Sequence, residues 1–227
     1  NEFTGKWLGT ENLMHVVRDA VIYAELDLDL RQAMLEESRR FVTDLWRRNR
    51  SYKELFQAEY SWMNPRLAAH YDLPLGDAPE DEDGFRKVAL DDTRPAGILT
   101  QGAFLTTHAS PTSSSPIMRG LTVRERLLCE ELQLPAFAIP ELPEDAGPNA
   151  TTRERFAAHT ENAVCQGCHM YIDPLGFGFE HYDGIGRYRE MDGAQPVDAT
   201  GSLVRQDGEE TPFHGVGELA QLLVDEP

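Results

Sequence analysis

The chain is poor in cysteine, with three in 227 residues. This number is too small for a disulfide framework, which excludes the small secreted domains that disulfide bonds hold together. Cys165 and Cys168 are separated by two residues, and Cys129 lies in an apolar pattern at helical spacing. We expect Cys129 to be a buried thiol in a helix over 123–132, without a chemical role.

Long apolar runs and a surplus of positive charge are also absent. No run of 18 or more apolar residues occurs, so no segment is predicted to span a membrane. The 39 Asp and Glu residues outnumber the 21 Lys and Arg residues, for a net charge of −18. Such a chain repels nucleic acid and anionic lipid and favours basic protein partners. No signal peptide is visible and the first residues read as helix, so we expect a processed protein or a fragment of a longer one.

The most informative pattern that the chain does contain is C-x-x-C-H, formed by Cys165, Cys168 and His169. Two thiols three positions apart on one helical turn can each form a thioether with a haem vinyl group, and the next residue then lies under the iron. A thioredoxin-like dithiol expects a preceding strand and a parallel-sheet pattern, and a zinc site needs a fourth ligand where no second C-x-x-C exists. The pattern therefore favours one covalent haem c, with His169 as its proximal ligand.

The ligand on the opposite side of the iron is not fixed by this motif. His159, six residues before Cys165, is the first candidate for a second iron ligand. Met118, His108 and Met191 are further candidates, and an open position is the remaining alternative. Two imidazoles predict a low-spin iron of low reduction potential, whereas methionine predicts a higher potential.

Aromatic and basic side chains follow the motif closely and are predicted to surround the haem. The aromatic ones are expected to pack on the macrocycle rather than to perform chemistry. Arg187 and Arg189 are candidates for pairing with a haem propionate, and a surface ion pair is the alternative for both. The predicted aromatic wall consists of Phe177, Phe179, Tyr182 and Tyr188.

The rest of the pattern is mainly helical. Apolar residues between Leu30 and Trp46 recur at spacings of three, four and seven, with Glu37 and Arg40 on the face expected to be solvated. Asn64 followed by proline, and Thr151 followed by Glu154, are typical helix starts. The acidic segment 74–84 is the best linker candidate.

Strand signals are few. A short strand is predicted over 85–90, and a hairpin over 187–213 with turns at Asp192-Gly193 and Asp207-Gly208. The fold class is therefore mainly α: a helical N-terminal domain, residues 1–93, followed by a cytochrome-c-like haem domain, residues 94–227, with a small β-hairpin.

Four stretches resemble a known family. They are 64–71, 97–101, 112–120, and 153–189 with its core Cys165-x-x-Cys168-His169-x-x-Ile172-Asp173-Pro174-Leu175-Gly176-Phe177. These stretches are similar to the haem-bearing C-terminal half of large secreted, multi-module cytochrome c proteins of planctomycetes and myxobacteria. The resemblance implies an exported single-haem domain joined to a helical domain, and it implies no substrate. The family often has a charged residue where this chain has Met118.

These observations predict an electron-transfer function. A single-haem c-type cytochrome domain would exchange electrons with a basic redox partner protein or a neighbouring module. A haem oxidoreductase of the peroxidase or oxygenase kind, with an open distal site, is the alternative; a domain in which haem only stabilises the fold is a third. No distal acid–base pair is evident, which favours electron transfer. Because covalent haem attachment takes place outside the cytoplasm, we expect a periplasmic or extracellular location.

Overall fold

The fold is described by a computed structural model for residues 2–132, 150–159 and 163–225, without the side chains of 157–159 and 163–164. Helical elements dominate this part of the chain, so the prediction of a mainly α fold is confirmed, while its cytochrome-c-like character stays a prediction. The helices are α1 (Glu2–Trp7), α2 (Leu28–Arg47), α3 (Glu54–Gln57), α4 (Pro65–Tyr71), α5 (Gly102–Thr107), α6 (Pro116–Thr122), α7 (Thr152–His159), α8 (Ala163–Phe177) and α9 (Gly215–Asp225).

Short non-α turns extend this set. Segments Thr10–Met14 and Gly97–Thr100 are 3-10 turns, and Val123–Leu127 is a π-helical turn that continues α6. The predicted helix over 123–132 therefore ends at Leu127. Cys129 beyond it is exposed and has a positive φ of 55°, so the expectation of a buried helical thiol is wrong.

The strands of the described residues form three separate antiparallel pairs. Strand β1 (Tyr60–Met63) pairs with β2 (Arg86–Ala89), which confirms the predicted strand over 85–90. Beyond α8, β3 (Met191–Asp192) pairs with β4 (Gln195–Pro196), and β5 (Thr200–Val204) pairs with β6 (Glu210–His214). The predicted single hairpin is thus two short ones. Gly193 and Gly208 lie in their turns with positive φ of 61° and 90°, a conformation that glycine adopts without strain.

The predicted helix starts are confirmed by their hydrogen bonds. The Asn64 side chain accepts from the backbone N–H of Leu67 at 2.9 Å, ahead of the proline that opens α4. Before α7, the Thr151 N–H donates to the Glu154 carboxylate at 2.8 Å, and the Glu154 N–H donates to the Thr151 hydroxyl oxygen at 3.1 Å. These reciprocal bonds form a capping box that satisfies two N–H groups at the helix start.

Helix α2 buries two charges that the sequence assigned to its solvated face. Glu37 and Arg40 are 1% and 7% exposed. Glu37 accepts hydrogen bonds from Ser61 and Tyr71, while Arg40 pairs with Asp81 in the acidic loop. The prediction failed because these partners lie in β1, in α4 and in a loop. The spacing of residues within α2 does not reveal contacts with other segments. The predicted apolar residue Trp46 is instead 77% exposed.

The core consists of two apolar clusters that draw on residues before and after position 93. One contains Leu8 and Phe41 together with Leu175 and Val216. The other joins residues of α2 and α4 to Ala103 of α5 and to Ile185. The predicted division into 1–93 and 94–227 stays a prediction. Within the described ranges, no helix combines the length and apolar character needed to cross a bilayer.

Candidate functional site

Helix α8 carries the C-x-x-C-H motif in its first half. Cys165, Cys168 and His169 are spaced i, i+3 and i+4, so the helix places them on one face. Both cysteines are partly exposed, and neither forms a disulfide bond. The helix therefore places both sulfur atoms on one turn, as thioether formation with two vinyl groups requires.

The imidazole of His169 is held by a carboxylate one turn further along α8. Nδ1 of His169 lies 2.9 Å from Oδ1 of Asp173, and the two side chains are 12% and 7% exposed. Since an ionised carboxylate only accepts hydrogen bonds, Nδ1 carries a proton, and in a neutral imidazole the lone pair then lies on Nε2. Sequence reasoning missed this role of Asp173, although its position four residues after His169 on one helix was the available signal.

Glycine contacts fix α8 against α6. A Cβ atom on Gly120 of α6 would lie 2.1 Å from the carbonyl oxygen of Ile172, and one on Gly176 of α8 would lie 1.9 Å from that of Pro116. Both distances are shorter than any van der Waals contact, so the two helices meet backbone to backbone. The turns of α8 that carry Asp173 are held at this crossing.

A buried arginine ties α8 to the β5–β6 hairpin. Arg124, in the π-helical turn, is 1% exposed and donates from Nε and a terminal nitrogen to the carbonyl oxygen of Tyr171, at 3.2 and 2.8 Å. The terminal nitrogen also donates to the carbonyl oxygen of Val204 at 2.8 Å, and the guanidinium pairs with Glu130. Helix α8 is therefore anchored to neighbours on two sides.

The aromatic residues predicted to surround a haem pack with other parts of the chain. Phe179 is fully buried against Phe104, with ring centroids 5.9 Å apart. The Tyr182 hydroxyl donates to the carbonyl oxygen of Thr93 at 2.5 Å. Phe177 lies beneath the Arg153 guanidinium at 4.0 Å. Their role in binding a macrocycle stays a prediction.

Tyr188 and the two predicted propionate partners lie together after α8. The Tyr188 ring stacks on His181 with centroids 5.2 Å apart. Arg189 pairs with Glu180 and with a carboxylate in β3, and Arg187 pairs with Asp183, each at 2.8 Å. Arg189 thus pairs with buried carboxylates rather than in the surface ion pair that was the alternative to a propionate, whereas the Arg187 side chain is 43% exposed. Pairing of either guanidinium with a propionate stays a prediction.

His108 has both ring nitrogens engaged by the protein. Nε2 lies 2.7 Å from the carbonyl oxygen of Leu8, and Nδ1 lies 3.1 Å from the Thr122 hydroxyl. Burial lowers the pKa of His108 to about 4, so the ring is neutral at physiological pH. The Leu8 carbonyl accepts from Nε2–H, and Nδ1 faces the Thr122 hydroxyl, whose proton is also within reach of the Met118 carbonyl oxygen at 2.8 Å. Both ring nitrogens of His108 are therefore in contact with protein groups.

Of the other candidates for a second iron ligand, the structure describes the side chains of the two methionines but not that of His159. Met118 on α6 and Met191 on β3 are 46% and 49% exposed, so neither side chain is committed to the core. His159 is the last residue of α7 and its side chain lies outside the described part. Among the described residues, no group of three or more His, Cys, Asp or Glu converges in a way that could hold a metal ion.

Sequence reasoning also missed a buried arginine behind α8. Arg119 is fully buried next to the exposed Met118, and it donates to the carbonyl oxygens of Tyr182 at 2.7 Å and Asp183 at 2.6 Å. Burial lowers the pKa of Arg119 to about 10. The hydrogen bonds of Arg119 to Tyr182 and Asp183 hold the loop that follows α8. Because these partners are more than 60 residues away in sequence, no local pattern indicates the role of Arg119.

Comparisons with known proteins match two separate parts of the chain, residues 1–73 and 95–192. Residues 95–192, which include α6, α8 and the His169–Asp173 pair, match one family model. That model is PSCyt3. PSCyt3 is described as a protein of unknown function (DUF1588). Residues 1–73 match a second family model, PSD4, which is also described as a protein of unknown function (DUF1592). PSCyt3 is the name of a cytochrome-like planctomycete domain, so the family type suggested by the sequence is supported, without an activity. No curated protein and no solved structure matches the chain.

Proposed function

We propose that this chain is a single-haem c-type cytochrome domain that transfers electrons. Cys165 and Cys168 would form the two thioethers, and His169 would bind the iron through Nε2. The observation that carries the proposal is that α8 presents both thiols and the imidazole on one face, with Nδ1 of the imidazole already held by Asp173. The cytochrome-like name of the PSCyt3 match adds support.

The chain's own residues fit this role. When bound, the haem supplies a one-electron ferric–ferrous couple. Asp173 keeps the proton of His169 on Nδ1, and the backbone contact of α8 with α6 at Gly120 and Gly176 holds the motif in place. A rigid ligand frame suits an electron carrier, because little has to move when the charge of the metal changes.

The charge of the molecule fits a basic redox partner, and the chemistry fits a location outside the cytoplasm. With −18 from side chains and two further negative charges from haem propionates, the domain attracts cationic protein surfaces. Covalent haem attachment takes place in an exported chain, so a periplasmic or extracellular location is part of the proposal.

Single cysteine substitutions test the cofactor. The protein is produced in a host with cytochrome c maturation machinery, and its pyridine haemochrome spectrum is expected to be of the two-thioether type. Cys165→Ala or Cys168→Ala should give a one-thioether spectrum or no haem. Cys129→Ala is the matched control, since this exposed thiol lies outside the motif, and should leave the spectrum unchanged. Haem that acid acetone extracts from the wild-type protein would contradict the proposal.

The spin state of the oxidised protein then separates electron transfer from the oxidoreductase alternative. Electron transfer predicts a low-spin, six-coordinate spectrum, slow cyanide binding and reduction by a basic redox protein. A high-spin spectrum with rapid cyanide binding would overturn this choice and favour an open distal site that binds peroxide or oxygen.

A further inference from the structure

The hydrogen bond between His169 and Asp173 bears on the reduction potential of a haem iron bound by His169. This inference rests on the proposed function. We infer that Asp173 is a positioning residue that lowers the reduction potential of the domain by accepting the Nδ1 proton of its proximal histidine. The inference concerns a side chain that neither the C-x-x-C-H motif nor the two family descriptions assign to a role.

The geometry gives Asp173 a direct route to the iron ligand. Its carboxylate Oδ1 lies 2.9 Å from Nδ1 of His169, a normal distance for a charge-assisted hydrogen bond. The two residues are four apart on α8, so the contact is made within one helical turn. No long-range rearrangement is needed to form it.

Burial makes this contact stronger than a surface pair of the same length. The Asp173 side chain is 7% exposed and that of His169 is 12% exposed, so solvent screens their interaction only weakly. The flanking residues Ile172 and Gly176 both touch the position that a Cβ on Gly120 would occupy. The turn that carries the carboxylate therefore cannot easily move away from the imidazole.

A carboxylate that accepts from one nitrogen of a histidine makes the other nitrogen a more basic ligand. A more basic ligand donates more electron density and stabilises ferric iron relative to ferrous iron. The buried negative charge acts in the same direction. When a reducing protein passes one electron to the iron, no bond forms or breaks. The free energy of this reduction is less favourable with Asp173 present, so the reduction potential is lower.

Redox titration of the holoprotein and its Asp173→Asn variant tests the inference. Asparagine keeps the size and an acceptor oxygen but removes the charge, so the equilibrium constant for reduction should rise about tenfold, which is 59 mV for a one-electron couple. Asp77→Asn is the control, because Asp77 is exposed in the acidic loop and the substitution makes the same change in net charge. It should leave the potential essentially unchanged.

The outcomes separate failure of this inference from failure of the proposed function. Wild-type protein without covalent haem would defeat the proposed function itself. Covalent haem with equal potentials in the wild-type protein and Asp173→Asn would overturn the inference alone. If Asp173→Asn does not retain haem, Asp173→Glu, which keeps the charge, should restore holoprotein of near wild-type potential. Equal loss of haem in both variants would mean that the residue serves packing only, and would also overturn the inference.

Discussion

Glu37 shows how one buried side chain changes the response of the molecule to pH. Its carboxylate oxygens accept hydrogen bonds from the Ser61 hydroxyl at 2.7 Å and the Tyr71 hydroxyl at 2.6 Å. Burial is the largest influence, and it raises the pKa of Glu37 from 4.5 to about 7 despite these two donors. The folded state thus binds a proton that the unfolded chain has already released.

This pKa difference predicts that the protein loses stability as pH rises. The contribution of Glu37 is fully present below about pH 4.5 and is lost as pH passes through about 7, a total of about 3 kcal/mol. Glu37→Gln should remove this dependence between about pH 4.5 and 7, the window set by the unfolded and folded pKa values. Urea unfolding at several pH values measures it, with Glu59→Gln at an exposed position as control. A slope in Glu37→Gln equal to that of the wild-type protein would refute the assignment.

His159 is the first candidate that the sequence analysis names for the second iron ligand. It ends α7 six residues before Cys165, and His108 is occupied by hydrogen bonds to Leu8 and Thr122. If His159 binds the iron, His159→Ala should convert a low-spin spectrum into a high-spin one that binds cyanide or carbon monoxide quickly. An unchanged low-spin spectrum would remove the assignment and direct the same test to Met118 and Met191.

At the scale of single elements, the close crossing of α6 and α8 depends on two glycines. Gly176→Ala would place a Cβ 1.9 Å from the Pro116 carbonyl oxygen, and Gly120→Ala one 2.1 Å from that of Ile172. Because backbone atoms cannot rotate away as side chains do, each variant should lose about 3 kcal/mol of unfolding free energy.

The matched control lies on the same helix. A Cβ on Gly167 meets no heavy atom within 4 Å. Gly167→Ala should therefore stabilise α8 by up to about 1 kcal/mol, because alanine loses less backbone entropy on folding. Thermal denaturation followed by circular dichroism compares the three variants. Similar midpoints for Gly176→Ala and Gly167→Ala would show that the helices do not depend on this contact.

The elements that the sequence predicted well are those whose signals are local. The starts of α4 and α7 follow from Asn64 and from the Thr151–Glu154 pair, since cap and partner are three residues apart. The three residues of the C-x-x-C-H motif are equally local. Glu37 was assigned to solvent because Tyr71, 34 positions away, becomes its neighbour only in the folded chain. Asp173 was the exception, a local partner that attention to ligands alone overlooked.

At the scale of the whole molecule, the charge of −18 predicts how a redox partner is found. Electron transfer to a basic partner protein should slow as ionic strength rises, because salt screens the attraction that steers the encounter. Stopped-flow experiments should measure the rate between about 10 and 500 mM salt. Over this range the Debye length falls from about 30 Å to below about 8 Å. An acidic redox protein is the control and should show the opposite trend. Rates that salt does not change would indicate that the acidity serves solubility alone.

The apolar cluster that contains both Leu8 and Val224 is complete only when nearly the whole chain has been made. A ribosome that adds about 5 to 20 residues per second delivers the last member of this cluster roughly 10 to 40 seconds after the first. Until α8 and α9 have been made, Phe41 lacks the members of the cluster that lie in those two helices, such as Leu175 and Val216. A shortened chain that ends before α9 lacks the members of this cluster in that helix, Val216, Leu219, Ala220 and Val224, and therefore leaves the remaining members without part of their apolar cover.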